Sequence, residues 1–92
     1  MLSKKEELEK YYKQLTESDS QSKSMMAMSN IFNLIKDVEF HKEKEDSSKL
    51  ILLVVSNMNT FIKAKFQGGD EIFAKSILDD SIAGLSQHLE YL

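Results

Sequence analysis

The chain has 92 residues, no cysteine, no proline and three glycines, enough for one small domain and too few for two. Twelve basic residues, every one a lysine, stand against fifteen acidic ones, for a net charge of −3. Without arginine or a basic patch, DNA and RNA are not expected partners, because guanine and phosphate recognition leans on the guanidinium fork. Without cysteine there is no disulfide framework, thiolate nucleophile or thiolate zinc site.

Lys4 and Lys5 are followed by Glu6, Glu7 and Glu9 rather than by an apolar run, so no secretory signal is expected. The longest apolar run, Leu50 to Val55, falls well short of the roughly 18–20 residues that cross a bilayer. Those two features predict a soluble protein with no transmembrane segment, and the absence of cysteine fits the cytoplasm. Ser3 followed by Glu6 has the spacing of a capping box, in which the hydroxyl accepts a first-turn N–H and the carboxylate reaches back to the N–H of Ser3. Leu8, Tyr11, Tyr12 and Leu15 then form one apolar face, predicting a first helix over about 4–17. With only four apolar residues, this helix is expected to be the least firmly attached. A polar, serine-rich connection runs from Thr16 to Ser24.

Met28, Ile31, Phe32, Leu34, Ile35 and Val38 fall within half a helical wheel and predict a second helix over about 24–42. After a polar segment, Asp46 or Ser47 is the expected cap of a third helix. Its first residues, Leu50 to Val55, are β-branched enough for a strand, but Ile51, Val54, Val55, Met58, Phe61, Ile62 and Phe66 continue a single helical stripe. That helix is expected over about 47–66, stopping at Gly68 and Gly69, where a positive φ is readily adopted. Asp70 and Glu71 put negative charge at the start of a fourth helix, about 70–90, striped by Ala74, Ile77, Leu78, Ile82, Leu85, Leu89 and Leu92. Four amphipathic segments with short polar connections predict an all-α fold, an antiparallel up-down four-helix bundle filling residues 1–92 as one domain.

Chemistry-bearing residues are sparse. His41 and His88 have no second imidazole at ligand spacing, and the acids around His41 alternate with lysines, which reads as a solvated helix end rather than a metal site. Asp79 and Asp80 are adjacent, hence about 100° apart on a helix, and read as surface charges. No nucleophile elbow or Walker lysine accompanies the serines or the Gly68-Gly69 pair. No metal, cofactor or catalytic residue is therefore assigned, and the chain is expected to work by binding rather than as an enzyme. Apolar residues off their own stripes are the candidates for contact. Leu52 and Leu53 are expected to pack against a second neighbouring helix, whereas Phe40, Phe66, Ile72 and Tyr91 near helix ends are candidate partner contacts. Met25, Met26 and Met28 read as adaptable core filler.

In layout the chain resembles the immunity proteins that protect producers of pediocin-like bacteriocins, the enterocin A immunity type. Four amphipathic helices within about a hundred residues carry the likeness, with a third helix running from Leu50 to Ile62 and Asn57-Met58-Asn59 as its closest local echo. The resemblance implies a cytoplasmic, monomeric, non-enzymatic bundle whose partner is a membrane sugar transporter with bound bacteriocin. It also implies recognition at the end of the fourth helix, at Gln87, His88, Glu90 and Tyr91. Charge is a departure, since many members are basic and this chain is acidic. The alternative from the residues alone is a helical adaptor or regulator from a mobile element or secretion system, pairing as a dimer through Phe40, Phe66 or Ile72.

Overall fold

A computed structural model describes residues 3–36 and 44–90, with the side chains of all of these except 44–48, 88 and 90. Its four helices are α1 (Lys4–Glu17), α2 (Gln21–Lys36), α3 (Lys44–Gln67) and α4 (Glu71–Glu90). They pack in chain order as an up-down bundle, most extensively within the α1–α2 and α3–α4 hairpins, and less between α1 and α4. The Cα radius of gyration is 12.7 Å. No described helix is long and apolar enough to cross a membrane.

Local rules set most of the helix ends. Glu6 N donates to Ser3 Oγ at 3.1 Å and Ser3 N to Glu6 Oε1 at 3.4 Å, completing the expected capping box. Gly68 has φ +95°, the left-handed geometry that ends α3 without the clash a Cβ would bring. Asp70 Oδ1 accepts from Phe73 N at 3.0 Å and starts α4. Two boundaries differ from expectation. The second helix begins at Gln21, with Ser20 Oγ accepting from Lys23 N at 3.5 Å, so the serine-rich connection shrinks to three residues. The third begins at Lys44, which places Asp46 and Ser47 inside the helix rather than at its cap.

All four helices contribute to the core. Leu8 and Leu15 meet Ala27, Ile31 and Ile35 of α2, Val54, Met58 and Phe61 of α3, and Ala74, Leu78, Leu85 and Leu89 of α4 in one buried cluster. On α2 the buried line is Ser24, Ala27, Ile31 and Ile35, while Phe32 is 45% exposed. The apolar stripe is thus turned from the expected one toward small residues, which lets α1 and α2 approach closely. Ser24 Oγ is satisfied there by donating to Leu15 O at 2.9 Å, and this bond also sets the register of the hairpin.

Helix α1 is held more firmly than its short apolar face suggests. Besides Leu8 and Leu15, it carries the Tyr12 hydroxyl, which donates to Asp79 Oδ1 on α4. Its C-terminal carbonyls at Thr16 and Ser18 accept from Lys65 Nζ of α3 at 2.8 and 2.7 Å. Asp79 is therefore more than a surface charge.

Candidate partner-binding surface

One close approach and one ordinary contact mark the α3–α4 register. A Cβ on Gly69 would sit 3.2 Å from Ala64 Cα, and one on Gly84 would sit 4.0 Å from Leu50 Cδ1. Antiparallel helices so aligned put Leu53 about level with Asp80, and Asn57 about level with Ile77. The outer side of this hairpin is unusually apolar. Leu53 (51% exposed) and Phe73 (61%) are solvent-facing there, with Ile77 at its edge, whereas Ile72 (86%) lies on the stripe of Lys75 and Asp79 that turns toward α1. Along α3 no charged residue occurs from Leu50 to Ile62, so Ser56, Asn59 and Thr60 are the polar relief on its exposed side. Asn57 is half-buried, its Nδ2 enclosed without an acceptor among the described residues. Around the bundle, Phe32 and Met28 of α2 line a smaller groove of about 280 Å³ against Val55 of α3.

Leu52, 70% exposed, and Leu53 do not pack against a second helix as expected. In a four-helix ring each helix has two neighbours, but both leucines point away from the line joining Ile51, Val54 and Met58 to the core. Ile77 and Phe32, expected in buried stripes, sit at the rims instead. Phe73 escaped selection from the sequence, although its position about 140° round the wheel from Leu78 is the signal that marks it.

The sequence-selected contact residues do not form one cluster. Ile72 lies in the first turn of α4 and Phe66 is half-buried at the end of α3, with Lys65 Nζ 5.5 Å from its ring centroid. Gln87 is exposed on α4, about 22 Å along the helix axis from Ile72. His88 and Glu90 lie on the last turn of α4 with side chains that are not described. Phe40, Tyr91 and His41 fall outside the described residues. Among the described residues no three metal-ligating side chains converge.

The polar centre of the α1–α4 contact is Asp79. It accepts from Tyr12 and is 3.1 Å from Lys75 Nζ. Burial between the helices, reinforced by the neighbouring Asp80 charge, raises its pKa above the ordinary carboxylate value. Lys75 opposes that shift weakly, because the two side chains are 48% and 45% exposed and water screens them. A raised carboxylate pKa contributes stability that is complete below the unfolded-state pKa and is lost as pH rises through the folded-state value. Asp79→Asn should therefore be at least as stable as the parent at pH 7, with any advantage shrinking as the parent's carboxyl protonates in acid. Urea titrations of both proteins at neutral and acidic pH measure this, and a neutral-pH loss for the variant would show the Tyr12–Asp79–Lys75 contacts to dominate burial.

No protein-family model matches the chain, and no curated protein or solved structure shows significant similarity to it.

Proposed function

We propose that this chain is a non-enzymatic binding protein that engages a protein partner through the outer side of the α3–α4 hairpin. The observation that carries this reading is the exposure of Leu53 on α3 and Phe73 on α4, with the part-exposed Ile77 one turn beyond Phe73 on the same stripe. Apolar side chains gathered in this way mark contact surfaces, since leaving them in water forgoes roughly 25 cal/mol per Å² that docking would recover. The specific role proposed is bacteriocin immunity. It is supported by the likeness in layout to the enterocin A immunity type, with a bacteriocin-engaged sugar transporter as partner and the exposed α4 residue Gln87 as part of the contact.

Expression in a strain sensitive to pediocin-like toxins tests the role. The expected result is survival, lost in an Ile72→Asp, Phe73→Asp double variant that keeps its helical circular dichroism. Unchanged killing by every such toxin would remove the immunity reading. The adaptor reading draws on Ile72, on the side of α4 that turns toward α1, and light scattering separates it. A dimer broken by Ile72→Asp favours an adaptor that pairs through that side chain.

A further inference from the structure

The acidic residues of this chain are unevenly placed, and the unevenness has a sign. None of the fifteen falls in 21–36 or 47–67, whereas five of the twelve lysines do. Those stretches are α2 and all but the first turn of α3. Burial does not explain the exclusion, because their exposed polar positions carry uncharged side chains or lysine, where glutamate would be equally well solvated. Both helices also share one spacing along the side where they meet. Met25, Met28, Phe32 and Lys36 follow one another at steps of three, four and four residues on α2, and Leu52, Val55, Asn59 and Lys63 do the same on α3. Between the two stripes lies the recess of about 280 Å³ lined by Met28, Phe32 and Val55 with Ser29 and Asn33. Leu52 (70% exposed) extends its α3 wall and Met25 (46%) its α2 wall. The helices are antiparallel, so Lys36 and Lys63 sit at opposite ends of this seam, about 20 Å apart along it. Asp19 and Glu45 lie beyond its two ends.

We propose that the α2–α3 seam takes an acidic amphipathic helix of a partner protein. Lysine is the sole charge along the seam, so the occupant that complements it brings carboxylates. Self-pairing lays one acid-free face on another and supplies none. A bilayer is flat, whereas Phe32 and Leu52 stand on either side of a recess. A helix of about four turns spans the roughly 20 Å between the lysines. Its apolar residues enter between Phe32 and Leu52, where the thioethers of Met25 and Met28 adapt to their shape. Carboxylates near its two ends, on opposite flanks, meet Lys36 and Lys63. Leu53 and Phe73 lie on the other side of α3, so the seam is separate from the surface proposed above and stands without that reading.

Two labelled peptides of about 15 residues test this, sharing one leucine face and carrying either glutamate or lysine on their flanks. Each is titrated with the full chain and read by fluorescence anisotropy. The glutamate peptide should bind at least about tenfold more tightly than the lysine peptide at low salt, with the preference shrinking at high salt. Phe32→Asp should weaken binding roughly tenfold or more. Lys36→Glu with Lys63→Glu should reverse the preference, with circular dichroism checking that each variant is folded. No binding of either peptide, equal binding of both, or binding lost with Phe73→Asp instead of Phe32→Asp would each overturn the proposal. So would a chain that binds phosphatidylglycerol vesicles but not the glutamate peptide, or a dimer in sedimentation equilibrium that Phe32→Asp dissociates.

Discussion

Replacing Phe61 with alanine is expected to destabilise the bundle by about 3–5 kcal/mol, a large share of the roughly 5–14 kcal/mol available to a chain of this length. Among the described residues Phe61 is the largest fully enclosed side chain, 1% exposed, in a cluster that draws on all four helices. Truncation removes its transfer free energy and leaves a void that helices fixed by packing on two sides close only partly. Leu52, on the same helix and 70% exposed, supplies the contrast: Leu52→Ala should change stability by no more than about 0.5 kcal/mol. Urea unfolding of the two variants against the parent measures both, and comparable small losses would mean that α3 presents a different face to the core.

The contrast between Phe61 and Leu52 also shows which parts of the structure could be read from sequence. Phe61 belongs to a stripe that repeats over about four turns of α3, so its burial follows from periodicity, as do Leu78 and Leu85 on α4. The Ser3–Glu6 box and Gly68 were legible for a different reason: their chemistry acts within a few residues and does not depend on the rest of the fold. Helix α2 was misoriented because its buried line runs through Ala27 and Ser24, small residues that hydrophobicity undervalues. Their burial is decided by how near α1 can approach. Ser24 in particular reads as a linker residue until Leu15 O, nine positions earlier, becomes its acceptor. The candidate surface was only partly legible. Ile72 could be selected because it lies off its stripe, but the exposure of Leu52 and Leu53 depends on how far neighbouring helices reach around α3, which no local pattern encodes.

A larger departure from local rules lies at the end of α1, and it leads to the second strong expectation. The last turn of α1 has no basic residue and carries Glu17, so its own sequence does nothing to offset the negative end of the helix dipole. The compensation comes from α3. Lys65 reaches back across the bundle and donates to Thr16 O and Ser18 O, two acceptors that α1 itself leaves open. Hydrogen bonds from a charged donor contribute about 1.5–3 kcal/mol, and removing the donor also leaves part-buried carbonyls unpaired. Lys65→Met keeps the aliphatic stem while deleting the ammonium, so its expected loss of about 2–3 kcal/mol isolates the polar tether from packing. Lys63, exposed one turn-fraction away on α3, is the control, and Lys63→Met should be close to neutral. Amide exchange adds a local readout: in the Lys65 variant the backbone N–H groups of the last turn of α1 and the start of α2 should lose protection before those around Phe61. Equal stability of the two lysine variants would mean that α1 is held by Leu8, Leu15 and the Tyr12–Asp79 contact alone, without the α3 tether.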